Sequence, residues 1–215
     1  MAIELENVLP SEIEKRSFEI ITEELTQNGI VLDSEKAPVI KRCIHTSADF
    51  DYARNLCFSP DVIEKAMNAI KNGACIVTDT QMAKSGINKR ALARYGGEVY
   101  CFMSDEDVAK TAKENGTTRA TASMDKAATL DKKLIFAIGN APTALVRLYE
   151  LIEDGKLDPE LIIGVPVGFV NVVQSKELIM QSGAPYIVAR GRKGGSNIAA
   201  CICNALLYMI DNRRD

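Results

Sequence analysis

A single imidazole stands in the chain: His45, in the segment KRCIHTSADFD, with basic residues before it and acidic residues after. An unperturbed imidazole exchanges its proton close to neutral pH, so general acid or base work is the chemistry His45 offers. A hydrogen-bonded structural histidine is the commoner use of a lone one. No serine or cysteine adjoins it in a nucleophile motif, and Thr46 and Ser47, which follow it directly, read equally as caps of the next helix. A second kind of chemistry is written in RGRKGGSN, which sets Arg190, Arg192 and Lys193 beside Gly194 and Gly195, with Ser196 or Asn197 as a helix cap. Glycines let main-chain N–H groups approach an anion, a helix start adds partial positive charge, and arginines grip carboxylates through two parallel bonds. The segment matches neither the phosphate-loop nor the dinucleotide glycine pattern, and it reads equally as an exposed strand-to-helix turn.

Three further segments complete the set. GNAPTA offers Asn140 and Thr143 as hydrogen-bonding groups around Pro142, which suits a first helical turn. GVPVGFVN holds Val167, Gly168 and Phe169, an apolar wall for a flat ligand or else ordinary core. Arg119, in NGTTRATASMDKA, falls near a helix start, where the dipole favours negative charge, so the placement hints at an anionic ligand while a solvated surface arginine remains the plainer reading.

The elements that must position these residues follow from the periodicity. Residues 11–27 carry apolar side chains at helical spacing, with Ser11 and Glu14 at capping-box spacing and Gly29 as a stop. Helical stretches follow from Ser34 to the His45 region, over 47–56, and from a Ser59-Pro60 cap through DVIEKAMNAIKN to Gly73. From residue 74 the pattern becomes short apolar runs at 74–79, 98–102, 134–139, 161–166 and 186–191, each reading as a strand buried on both faces. Helical candidates lie between them at 87–95, 104–115, 119–130, 142–154 and 175–182, with a last helix over 196–212. Alternation of this kind predicts a single α/β domain spanning 1–215. Its 1–72 part is helical, and its 73–215 part forms a three-layer α/β/α arrangement with a mostly parallel, five-stranded sheet of flavodoxin-like order. Ligands of open parallel sheets bind beyond the carboxyl ends of the strands. The segments leaving the strands there are DTQMAKSG, GNAPTA, GVPVGFVN and RGRKGGSN.

Composition narrows the function classes. With 47% hydrophobic and 26% charged residues over 215 positions, the chain is globular rather than disordered. A net charge of −3 argues against a nucleic-acid partner held by a bulk positive field, so an anionic ligand must meet local cations. The longest apolar stretches fall short of the roughly 20 residues of a membrane span, and no basic-then-apolar leader opens the sequence, so cytoplasmic residence with no membrane partner is expected. The six cysteines include no C-x-x-C pair, and one histidine cannot complete a Cys/His zinc set, so no protein-held metal is expected.

Taken together, EKRSFEII (14–21), KRCIHTS (41–47), FSPDVIEKA (58–66), DTQM (79–82), GNAPTAL (139–145), GVPVGFVNVVQSK (164–176) and RGRKGGS (190–196) resemble the precorrin-8X methylmutases, called cobalt-precorrin-8 methylmutases in the anaerobic branch of cobalamin synthesis. The resemblance runs in order through nearly the entire chain. It implies a cytoplasmic homodimer that needs no cofactor and binds a tetrapyrrole edged with acetates and propionates. The reaction implied is migration of a methyl group from C11 to C12 of the precorrin ring, giving a hydrogenobyrinate or cobyrinate. The family histidine falls on His45 and its arginine on Arg119, while Arg16 and Ser17 match its Arg-Ser-Phe helix and Thr80 and Met82 its DTQM loop. Where some members carry threonine in the loop after the first strand, this chain has Asn88. A non-catalytic corrinoid carrier and a flavodoxin-like flavin or nucleotide oxidoreductase are the alternatives, and only a mutase converts added precursor.

Overall fold

The computed structural model describes residues 6–211. The expected end of the last helix at 212 and the reading of residues 1–5 as free of a leader fall outside them. In chain order the elements are α1 (Ile13–Gln27), α2 (Ala37–Ser47), α3 (Tyr52–Asn55), β1 (Leu56–Phe58), α4 (Val62–Lys71), β2 (Cys75–Thr78), α5 (Gln81–Gly86), α6 (Lys89–Ala93) and β3 (Val99–Tyr100), followed by α7 (Glu106–Glu114), α8 (Arg119–Ala128), β4 (Leu134–Ile138), α9 (Pro142–Glu153), β5 (Leu161–Gly164), α10 (Val172–Gln181), β6 (Tyr186–Ala189) and α11 (Ser196–Ile210).

The sheet runs β1-β6-β5-β4-β2-β3. Its last five strands are parallel throughout, and read by themselves they follow the order 2-1-3-4-5 of the flavodoxin-like arrangement. The expectation of five strands is corrected to six: β1 adds an antiparallel edge, with Leu56 opposite Ala189 and Phe58 opposite Ile187. This strand starts at the last residue of the 47–56 stretch read as helical, where helix is confined to the end of α2 at Ser47 and the single turn Tyr52–Asn55. Antiparallel pairing places the start of β1 beside the end of β6, so the chain around residues 49–55 arrives at the edge where the parallel strands exit.

Side chains alternate across the sheet as strand geometry requires. Ile76, Ile135, Ala137, Leu161, Ile163, Ile187 and Ala189 join one core cluster, with the N-terminal helices and α11. Val77, Leu134, Phe136, Ile138, Ile162 and Val188 join the other, under α8, α9 and α10. A fully buried Leu, Ile or Phe of this kind contributes roughly 1.5–3 kcal/mol. α11 (SNIAACICNALLYMI) is apolar round most of its surface because it is covered on both sides, by the sheet and by α2, on which α1 rests in turn. No described helix is long and apolar enough to cross a membrane.

Candidate active site

The loops at the exit edge lock onto one another through backbone. Asp79, the residue after β2, is 1% exposed, and its carboxylate accepts N–H bonds from Gly139 (2.9 Å), Asn140 (2.8 Å) and Ala141 (2.6 Å). Burial pushes this carboxyl above its ordinary range, and the three donors work against that shift. Gly139 must be glycine, because a Cβ there would lie 2.6 Å from Ser196 Cα. Thr80 Oγ1 caps α5 by accepting from Ala83 N at 3.1 Å and lies 2.8 Å from Ser196 Oγ, which joins the first loop to the start of α11. Gly195 donates to Val165 O at 2.8 Å and Gly168 to Arg192 O at 3.1 Å. At Gly194, with φ +155°, a Cβ would fall 2.0 Å from Val165 O.

Lys176 on α10 is wholly buried, and its ammonium donates to Gly191 O at 2.8 Å and Lys193 O at 2.9 Å. Burial lowers its pKa to about 8. The cations of RGRKGG are therefore arranged around a lysine outside that motif. Arg190 makes a two-bond pair with Glu177 at 2.8 and 2.9 Å, which holds the Glu177 carboxyl below its usual range. Lys193 Nζ lies 2.6 Å from Asp49 and 2.6 Å from Asp51, and lowers Asp49 likewise. Arg192 is exposed and lies over the ring of Phe169 at 5.2 Å. Phe169 is itself 79% exposed, and Val167 on the same loop and Met82 in the first turn of α5 are exposed as well.

His45 occupies the last turn of α2, exposed, with its ring 5.2 Å from that of Phe18 on α1. The helix ends at Ala48 in the left-handed conformation, and the turn that follows carries the Asp49 and Asp51 held by Lys193. Thr46 Oγ1 lies 3.1 Å from Cys201 Sγ, tying the same turn to α11. The imidazole is thus carried by an element fastened to the RGRKGG loop at one point and to the helix that loop starts at another.

Arg119 is the first residue of α8 and exposed, after Thr118, whose hydroxyl caps that helix at Thr121 N and lies 3.0 Å from Thr143 Oγ1. This brings Arg119, Thr143 and the exposed Asn140 to one side of the crevice. The backbone N–H groups of Gly139, Asn140 and Ala141 are spent on Asp79, so this stretch offers a ligand its side chains. On α1, Arg16 pairs with Glu6 at 2.7 Å and Ser17 donates to Ile13 O at 2.9 Å, the two residues that precede the Phe18 whose ring neighbours that of His45. Asn88 stands apart: its Oδ1 caps α6 at Ala91 N, and its own N–H donates to Asn204 Oδ1 at 2.8 Å. Asn204 lies roughly 12 Å along α11 from Ser196 at 1.5 Å per residue.

Sequence reasoning passed over Asp79 and Lys176. For Lys176 a signal existed, since Val172, Ser175, Lys176 and Ile179 all fall on the buried stripe of α10, where a lysine needs a partner. For Asp79 the signal was only its place at the end of a wholly buried strand.

Fold and loops together define the class: an open, doubly wound α/β protein whose ligand crevice lies over the carboxyl ends of its parallel strands. Comparison with known proteins gives the family. The precorrin-8X methylmutase family matches residues 12–209. The cobalt-precorrin-8 methylmutase of Priestia megaterium is 44% identical over 205 residues, 95% of this chain and 90% of that protein. That of Salmonella typhimurium is 46% identical over 203 residues, 93% and 95% of the respective chains. The crystal structure of precorrin-8x methyl mutase from Thermus thermophilus superposes with a TM-score of 0.84 at 36% identity, covering 94% of this chain and 98% of that one. The chain belongs to the precorrin-8X methylmutase family: it is an isomerase of corrin biosynthesis.

Proposed function

We propose that the chain moves the C11 methyl group of a precorrin-8X-type macrocycle to C12, with His45 as the proton donor that biases the conjugated ring toward migration. The observation that carries the reading is the exposed imidazole on a helix end fastened through Lys193 to the glycine-rich cationic loop. The macrocycle lies over the exit edge, its ring against Val167 and Phe169 and its carboxylates toward Arg119, Asn140, Thr143, Arg192 and the 190–196 loop. Arg190 and Lys193, already paired with Glu177, Asp49 and Asp51, hold the loop's shape and contribute field more than direct bonds. No cofactor enters the step, and the remaining acceleration comes from orienting the ring. Two relatives named for cobalt-precorrin-8 support a cobalt-bearing substrate. We also place the enzyme in the cytoplasm as a homodimer; its six free thiols suit a reducing compartment.

The test is direct, because isomerisation changes the conjugation and so the visible spectrum. Metal-free and cobalt-bearing precursor are mixed in turn with pure protein, and the spectrum that moves identifies the substrate. A positioned acid contributes about 10²- to 10⁴-fold, so His45→Asn is expected to slow conversion by that factor while leaving the fold intact. Undiminished turnover in His45→Asn would remove the imidazole from the mechanism.

A further inference from the structure

Three consecutive carbonyls of the RGRKGG loop face into the protein. Those of Gly191 and Lys193 accept from the Lys176 ammonium, and that of Arg192 accepts from Gly168 N. No peptide in the described chain is cis, and a trans peptide sets its N–H opposite its C=O. The N–H groups of Arg192, Lys193 and Gly194 therefore point away from Lys176 and Gly168. Among the described residues none of the three donates to a protein acceptor. Main-chain donors left open beside an exposed arginine in a loop that begins a 15-residue helix make a receptor for a carboxylate.

We infer that Lys176 is a positioning residue for substrate binding: its buried ammonium captures the inward carbonyls and so presents the 192–194 amides to one carboxylate of the macrocycle. The inference rests on the reading of the exit edge as the substrate site. Lys176 touches no ligand itself. It acts as supporting side chains do around other preorganised sites, where their loss typically lowers affinity or activity 10- to 100-fold. A contact to a peripheral carboxylate is made equally in the ground and transition states, so its loss appears in KM rather than in kcat.

The experiment is steady-state kinetics of wild type and Lys176→Met on the precursor that wild type converts. The expected result is a KM raised about tenfold or more, with kcat within about twofold of wild type. Lys176→Gln, which keeps two N–H donors without the charge, is expected to recover part of the loss. An unchanged KM in folded Lys176→Met overturns the inference, as does a loss confined to kcat. If Lys176→Met does not fold, Lys176→Gln carries the same comparison; if neither folds, the residue serves stability alone and the inference is overturned. A wild type that converts neither precursor is a different failure, that of the site reading.

Discussion

Asp79 and Lys176 carry opposite charges below the same group of loops, and each is held by backbone rather than by a side-chain partner. A buried ion without partners is penalised by several kcal/mol, so such a residue persists only where its hydrogen bonds are made. Here the bonds fix loop shape: the carboxylate gathers the amides of 139–141, and the ammonium gathers the carbonyls of 191 and 193. Lys176 also gives a stability signature with a definite sign. Its folded pKa is lowered from the usual 10.5 to about 8, so between those values the unfolded chain holds a proton that the folded chain has released. The burial penalty is carried in full below about pH 8 and is relieved as pH rises through that window. The expected gain in folding stability across it is on the order of 3 kcal/mol. Urea unfolding of wild type and Lys176→Met at about pH 8 and about pH 10 reads it as a difference that cancels the other titrating groups. A gap between the two proteins that does not move with pH would mean the lysine is not desolvated. The chain's own pattern carried part of this, since a lysine on the 172-175-176-179 stripe announces burial. That its partners would be two carbonyls 15 and 17 residues further on depends on how β6 and α10 pack, which no local spacing encodes.

At the scale of elements, β2, β4 and β5 are buried on both faces as their apolar runs announce, β3 at the sheet edge is only half-buried against that expectation, and all five parallel strands were legible. β1 was not. Leu56–Phe58 is three residues inside NLCFSP, and what makes it a strand is its pairing with β6, about 130 residues away. The capping box read at Ser11 and Glu14 also does not form: the helix starts at Ile13 after Glu12, without a side-chain cap. Near the site Thr80 and Thr118 cap α5 and α8 through their hydroxyls, while the cap expected of Ser196 or Asn197 does not form: α11 starts after Gly195 without a side-chain cap. The interlock between the loops after β5 and β6 is testable at Gly194. In Gly194→Ala a Cβ 2.0 Å from Val165 O forces a backbone shift, and the φ of +155° adds strain, for an expected loss on the order of 2–3 kcal/mol. Gly155→Ala, with open space around it and φ +66°, meets strain alone and should lose about 1 kcal/mol. Equal losses in chemical denaturation would show that the close approach of the two loops is not tight.

For the molecule as a whole, the question is how a chain of net charge −3 binds a polyacid. Mean field opposes the encounter, so affinity must come from cations and N–H donors collected at one edge, and two of those cations, Arg190 and Lys193, are already neutralised by Glu177, Asp49 and Asp51. Arg119 differs. It is exposed, it begins α8 where the helix dipole disfavours a cation, and it has no carboxylate partner among the described residues. Its position is thus slightly unfavourable for folding, which fits the substrate-binding role proposed for it. Arg119→Ala is expected to raise KM for the precursor about tenfold, an effect that weakens as salt screens the pair, over a Debye length of about 10 Å at 0.1 M. The unfolding free energy should stay within about 0.5 kcal/mol of wild type or rise slightly, as for other surface substitutions. The reverse outcome, an unchanged KM with a lowered unfolding free energy, would assign Arg119 to the fold and leave Arg192 as the crevice's cation without a carboxylate partner.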